Sequence, residues 1–100
     1  MAEKILIVDD DREMVELIDL FLSNAGFETI SAFSGEEALE KAFKEKPDLI
    51  LLDIMMPKID GWEVLRRIKN DPQAQNTPVA FITARTQNID KMIGLSVMKA

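Results

Sequence analysis

The strongest constraint on the fold is an alternation between short apolar runs and longer amphipathic segments, which repeats about every twenty-five residues. Residues 5–8 (ILIV), 49–52 (LILL) and 79–82 (VAFI) are apolar throughout, as is typical of strands that are buried on both faces of a sheet. Residues 27–32 (FETISA) are partly polar, which indicates a strand at the sheet edge. Strands that alternate with helices predict an α/β fold, a doubly wound parallel sheet with helices on both faces.

Helix-capping residues mark where the first two predicted helices begin. Asp11 can cap a helix that stops at Gly26, and Ser34 with Glu37 has the spacing of a capping box. We expect the first helix to pack an apolar face against the sheet, because its apolar residues follow helical spacing. These residues are Met14, Leu17, Ile18, Phe21 and Leu22.

The second half of the sequence repeats the same pattern. Asp60 with Glu63 predicts the cap of a third helix. A last helical pattern is carried by Ile89, Met92 and Ile93 and, less regularly, by Val97 and Met98. The sequence has 100 residues, which is enough for one hydrophobic core and too few for two. We therefore expect a single domain.

Composition excludes several kinds of chemistry and of partner. The sequence has no Cys and no His, so a reaction would depend on carboxylates, hydroxyls or amines. A net charge of -6 without a cluster of Lys or Arg argues against direct nucleic-acid binding by this domain. The apolar runs are too short for a membrane span. The absence of Cys and of a targeting segment favours a cytoplasmic location.

Acidic residues follow two of the predicted buried strands. Asp9 and Asp10 come after the first strand, and Asp53 ends the third. If the second strand lies on one side of the first and the third strand on the other, these carboxyl ends are neighbours at the switch point of the sheet. Ligands of doubly wound sheets bind at that edge. We therefore expect the three carboxylates to form a candidate site.

Three adjacent carboxylates indicate a bound cation. Two unit charges about 4 Å apart repel by about 4 kcal/mol at an effective dielectric constant of about 20, so the group needs a shared proton or a metal. Oxygen ligands without Cys or His select a hard ion, and a few carboxylates completed by water describe Mg²⁺ better than Ca²⁺.

A carboxylate beside Mg²⁺ can act as a nucleophile toward phosphorus and form an acyl phosphate. Asp53 is the better candidate because it stands alone at the end of its strand. The Thr83 hydroxyl, at the end of the next strand, can reach the same phosphoryl oxygens, and the backbone amide of Ala84 can donate to them.

The sequence resembles the receiver domains of two-component response regulators, including the chemotaxis-regulator-like members. The resemblance rests on ILIVDDD at 5–11, LILLDIMMPKIDGWEVLRRIK at 49–69 and VAFITAR at 79–85, and it covers essentially the whole chain. It implies a flavodoxin-like sheet, with a strand order carried over from the family. It also implies that Asp53 is the phosphoacceptor.

The same resemblance implies ligands and partners. Asp9 and Asp10 would form the acidic Mg²⁺ pocket with Asp53, the backbone carbonyl of Met55 would contact the metal, and Thr83 would supply a switch hydroxyl. The phosphoryl group would come from a histidine kinase or a phosphotransfer protein. Phosphorylation would then change contacts with an output domain or a homodimer partner.

The sequence departs from the family pattern at its carboxyl end. Family members continue into a fifth strand, whose lysine pairs with the phosphoryl group, and a fifth helix, whereas this sequence stops at Ala100. Lys91 and Lys99 are poor substitutes because they lie in or just after the last helical pattern. We therefore expect strand order 2-1-3-4, with residues 1–100 forming a receiver domain that lacks the fifth strand and helix.

Two other functions are compatible with parts of the sequence. An aspartate-dependent phosphatase of the haloacid dehalogenase type would use Asp9 as nucleophile and Asp11 as acid/base, but it leaves residues 53–61 unexplained. The other is a phosphorylation-independent interaction module with the receiver fold. The receiver hypothesis predicts a signalling domain whose only catalysis is its own phosphorylation and dephosphorylation.

Overall fold

The structure is a computed structural model that describes residues 3–82 and the backbone of residues 97–99. The strands are β1 (Lys4–Val8), β2 (Glu28–Ala32), β3 (Leu49–Asp53), β4 (Val79–Ile82) and β5 (Val97–Lys99). The helices are α1 (Arg12–Asn24), α2 (Gly35–Glu45) and α3 (Gly61–Lys69). The predicted helix around Ile89, Met92 and Ile93 lies outside the described residues.

The strands form one sheet in the order β2-β1-β3-β4-β5. Strands β1 to β4 are parallel, with β1 between β2 and β3 and with β3 also paired to β4. This arrangement confirms the predicted strand order 2-1-3-4 and the doubly wound topology. It places the carboxyl ends of β1 and β3 side by side.

The fifth strand corrects one sequence-based expectation. Val97–Lys99 pairs antiparallel with β4, with Phe81 opposite Met98. The helical interpretation of Val97 and Met98 is therefore wrong. β5 is a short antiparallel strand, and the described residues do not form the parallel fifth strand of the family. All four residues of β4 are buried. A strand at the edge of a sheet exposes unpaired backbone N–H and C=O groups, to which another segment can pair.

The predicted caps all form, and one differs in detail. Asp11 accepts hydrogen bonds from the N–H groups of Glu13 and Met14, at 3.0 and 3.4 Å. Ser34 accepts one from Glu37 at 3.1 Å, but Glu37 accepts its return bond from Phe33 at 2.8 Å, one residue before the usual capping-box donor. Two hydrogen bonds, one in each direction, therefore connect the turn before α2 with the first turn of the helix.

Two hydrophobic clusters pack on the sheet. The first contains residues of α2 and α3, and the second contains residues of α1. In α1, Val15 and Ile18 are buried, whereas Leu17 and Phe21 are 61% and 68% exposed. The prediction that Leu17 and Phe21 pack inward is wrong, because only a narrow stripe of α1 contacts the sheet. No helix among the described residues is long and apolar enough to cross a lipid bilayer.

Candidate functional site

Asp9 and Asp53 occupy matching positions at the ends of neighbouring strands. Val8 of β1 pairs with Leu52 of β3, and each residue is followed by one of the two aspartates. Asp9 is 2% exposed and Asp53 is 1% exposed. The Asp9 N–H also donates to the Ala32 carbonyl at 3.2 Å, so the end of β2 lies beside the same site.

Asp10 completes an acidic group with these two residues. One carboxylate oxygen from each of Asp9, Asp10 and Asp53 lies within 4.8 Å of the others. Asp10 is the most exposed of the three, so the group opens toward solvent on its side. The structure thus brings together the three carboxylates that the sequence predicted, in an arrangement that could hold a metal ion.

Backbone N–H groups orient the two buried carboxylates. Asp9 accepts from the N–H of Asp11 at 3.0 Å, and Asp53 accepts from the N–H of Met55 at 3.2 Å. Each contact spans two residues, as in an Asx turn, and fixes one carboxylate oxygen. The Met55 side chain is 66% exposed. Its backbone thus lies beside Asp53, while the metal contact expected from its carbonyl stays a prediction.

The loop between β3 and α3 is anchored by a close backbone approach at Gly61. The Gly61 N–H donates to the Ile54 carbonyl at 2.8 Å. A Cβ atom at Gly61 would lie 2.8 Å from the Ile54 Cα and would also overlap the Asp53 carbonyl. The sequence carried no signal for this packing requirement, although Asp60 beside it was predicted to cap the third helix. Asp60 caps α3 by accepting from Glu63 at 3.0 Å.

Arg12 is a further charged residue near the site, and sequence analysis did not single it out. Its guanidinium carbon lies 4.1 Å from the centre of the Phe33 ring, a cation–π geometry. The Phe33 N–H, together with Lys41 and Arg12, lowers the pKa of Glu37 below its usual value of 4.5. The only sequence signal was that Arg12 directly follows the aspartate run.

Two predicted site residues, Thr83 and Ala84, lie outside the described residues. So does Lys91, whereas the backbone of Lys99 lies in β5, opposite Ala80. The proposed switch hydroxyl and amide therefore stay predictions.

The position of Asp11 bears on the phosphatase alternative. Its carboxylate caps α1 through Glu13 and Met14, and it is not part of the acidic group formed by the described residues. A phosphatase of the haloacid dehalogenase type would need this carboxylate as acid/base. The geometry favours Asp11 as a helix cap.

The fold and the site together define a class of protein. A parallel sheet in the order β2-β1-β3-β4, with an acidic group at the carboxyl ends of β1 and β3, is the arrangement of a receiver domain in signal transduction. Residues 5–98 match the family described as the response regulator receiver domain. The chain belongs to this family, and it is a signalling domain of the two-component type.

Individual relatives agree with this assignment. The chain is 44% identical over 97 residues to the alkaline phosphatase synthesis transcriptional regulatory protein PhoP of Bacillus subtilis. The match covers 97% of this chain and 40% of PhoP, so the chain spans less than half the length of that relative. The family and the relative favour a phosphoryl-accepting signalling domain over the phosphatase and the phosphorylation-independent module.

Solved structures show the same fold. The N-terminal domain of a response regulator receiver protein from Methanoculleus marisnigri JR1 superposes with a TM-score of 0.82 at 42% identity, covering 94% of this chain and 76% of that one. The chemotaxis response regulator CheY4 of Vibrio cholerae gives a TM-score of 0.80 at 33% identity, covering 94% and 78%.

Proposed function

We propose that residues 1–100 act as one phosphoacceptor unit in which Asp53 receives a phosphoryl group from a histidine kinase or a phosphotransfer protein. The observation that carries the proposal is the position of Asp53, buried at the end of β3 within 4.8 Å of the Asp9 and Asp10 carboxylates. The chain's membership of the receiver family supports the same role.

The proposed reaction transfers a phosphoryl group between two nucleophiles. A carboxylate oxygen of Asp53 attacks phosphorus, a P–O bond forms, and the P–N bond to the donor imidazole breaks. The imidazole nitrogen leaves with the bonding electrons and then takes up a proton. The product is an acyl phosphate, which water later hydrolyses to the carboxylate and inorganic phosphate. These 100 residues contain no His, so the donor histidine lies outside them.

Mg²⁺ fits the donor set that this chain provides. Carboxylates without Cys or His suit a hard divalent ion, and a site with few protein ligands leaves positions for water and for the substrate. When bound, the ion neutralises negative charge on the phosphoryl oxygens and the carboxylates during transfer. Asp9, Asp10 and Asp53 would hold it, with the Met55 carbonyl as a further proposed ligand.

Other residues of the chain have proposed roles in positioning and response. The Met55 N–H binds one oxygen of Asp53 and so orients the carboxylate that is the proposed nucleophile. The Thr83 hydroxyl and the Ala84 amide would donate to the phosphoryl oxygens. Phosphorylation would then alter contacts with an output domain or a second copy of the chain. The cytoplasmic location stays a prediction from the sequence.

Intact mass spectrometry with acetyl phosphate and Mg²⁺ tests the proposed function. The wild-type chain should gain the mass of one phosphoryl group, and hydroxylamine should remove it because the linkage is an acyl phosphate. Asp53→Asn should gain none, since an amide is a poor nucleophile. Omitting Mg²⁺ should slow the gain strongly.

Asp11→Asn provides a matched control. It removes one negative charge close to the site, while asparagine caps a helix about as well as aspartate. This variant should still be phosphorylated, whereas the phosphatase alternative requires the Asp11 carboxylate. Phosphorylation of Asp53→Asn to the wild-type level, or its loss in Asp11→Asn at unchanged stability, would contradict the proposed function.

A further inference from the structure

Arg12 lies at the rim of the acidic site. It is two residues from Asp10, so the two Cα atoms are at most about 7.6 Å apart. Arg12 is also the first residue of α1, which begins directly after the acidic run at the carboxyl edge of the sheet. Its backbone is therefore fixed next to the site.

The Arg12 side chain is directed toward the β2 side of this rim. The guanidinium carbon lies 4.1 Å from the centre of the Phe33 ring, and Phe33 directly follows Ala32, whose carbonyl binds the N–H of Asp9. Arg12 is nevertheless exposed to solvent. The ring thus holds a positive charge in place without removing it from contact with an incoming molecule.

This placement matters because the site is acidic and its substrate is an anion. Asp9, Asp10 and Asp53 form a group of three acidic side chains, which makes the site unfavourable for an anion before a cation binds. A donor with two negative charges is therefore repelled as it approaches. A guanidinium at the rim attracts phosphate oxygens and binds them through two parallel N–H donors.

We propose that Arg12 is a recognition residue for the phosphoryl donor, and that it favours donors of higher negative charge. This inference rests on the proposed phosphoacceptor function. Arg12 binds the anionic oxygens of the donor as it enters and takes no part in bond making at Asp53. Phe33 is a positioning residue that holds the Arg12 guanidinium.

A purely structural role for the Arg12–Phe33 contact predicts a different outcome. If the contact only joined α1 to the turn after β2, its loss would lower stability and affect every donor equally. Recognition of charge predicts a loss that depends on the donor, that weakens with added salt, and that a lysine restores in part.

The test compares two small phosphodonors on the Mg²⁺-loaded protein. Acetyl phosphate is a dianion near neutral pH, whereas phosphoramidate is a zwitterion with a single net negative charge. Apparent second-order rate constants are measured by intact mass for the wild type, Arg12→Gln, Arg12→Lys and Phe33→Leu. Arg66→Gln is the matched control, because Arg66 is exposed and pairs with Glu63 on α3.

The proposal predicts that Arg12→Gln lowers the rate constant for phosphorylation by acetyl phosphate more than that for phosphoramidate. The two reductions should differ by about threefold to tenfold, the size expected for one charge at a partly exposed site. Arg12→Lys should recover part of the preference for acetyl phosphate over phosphoramidate, Phe33→Leu should lose part of this preference, and Arg66→Gln should retain it. Equal effects on both donors, or no effect of Arg12→Gln, would overturn the inference while leaving Asp53 as the acceptor. A wild-type chain that neither donor phosphorylates would overturn both proposals.

Discussion

Asp9 and Asp53 follow residues that are paired in register, Val8 on β1 and Leu52 on β3. Because both strands are parallel and end at the same edge of the sheet, the two buried carboxylates are brought together by backbone pairing. Asp10 adds a third carboxylate within 4.8 Å. The site therefore depends on strand register, and a change that shifts either strand end would change the distances between its ligands.

Mg²⁺ should stabilise the folded chain through this acidic group. At a concentration about 100-fold above the dissociation constant, a ligand of the native state adds about 2.7 kcal/mol, which corresponds to a rise in Tm of roughly 10–20 °C for a domain of this size. In Asp10→Asn, the rise at the same Mg²⁺ concentration should fall to roughly half or less. Thermal melts with and without Mg²⁺ measure both values.

Asp11→Asn is the control for that experiment, because it removes a neighbouring charge outside the acidic group and keeps the helix cap. Its Mg²⁺-dependent rise in Tm should stay close to that of the wild type. Equal losses in Asp10→Asn and Asp11→Asn would point to a general effect of negative charge and would contradict a specific site.

Gly61→Ala should destabilise the fold and disturb the site together. The added Cβ would lie 2.8 Å from the Ile54 Cα and would overlap the Asp53 carbonyl, so the backbone must move. Overpacking of this kind costs about 1–3 kcal/mol in the free energy of unfolding. Since Asp53 lies in the displaced segment, the Mg²⁺-dependent rise in Tm should also shrink.

Gly26→Ala separates these two effects. Gly26 has a φ of 99° and nothing within 4 Å of an added Cβ, so alanine introduces backbone strain of about 1–2 kcal/mol far from the acidic group. Denaturant unfolding should show a loss of stability with an unchanged effect of Mg²⁺. A Gly61→Ala variant that binds Mg²⁺ as the wild type does would contradict the role assigned to this close contact.

Glu37 should contribute to the loss of folding stability at acidic pH. The Phe33 N–H, and then Lys41 and Arg12, lower the pKa of Glu37 in the folded chain below 4.5. A depressed pKa stabilises the fold above the unfolded value, and this stabilisation is lost as the pH falls through the folded value. The wild type should therefore be more stable than Glu37→Gln near neutral pH, and the difference should shrink below about pH 4.5.

Denaturant unfolding across this pH range measures the difference. Glu36→Gln is a charge-matched control in the same helical turn, where Glu36 is exposed and Glu37 holds the bond to Phe33. A difference between the wild type and Glu37→Gln that grows as the pH falls would contradict the assigned direction of the pKa shift.

Features that depend on local chemistry could be predicted from the sequence. The caps at Asp11, Ser34 and Asp60 follow from side chains that accept hydrogen bonds from nearby N–H groups. The acidic group could be predicted because Asp9 and Asp53 end apolar runs. Its geometry also required the strand order, which the family resemblance supplied.

Features that depend on tertiary context could not be predicted in the same way. Val97 and Met98 fit a helix or a strand, and pairing with the edge of β4 decides between them. Leu17 and Phe21 follow the helical period, but only the contact of α1 with the sheet determines which side is buried. The close approach at Gly61 and the contact of Arg12 with Phe33 join segments that no short motif connects.

Reductive trapping tests the central claim most directly, because it identifies the phosphorylated residue. The chain is phosphorylated with acetyl phosphate and Mg²⁺, and borohydride then reduces an aspartyl phosphate to homoserine, which peptide mass spectrometry locates. We predict homoserine at position 53 alone and none in a sample without the phosphodonor. Homoserine at position 9 or 10, with Asp53 unmodified, would contradict the assignment of Asp53 as the phosphoacceptor.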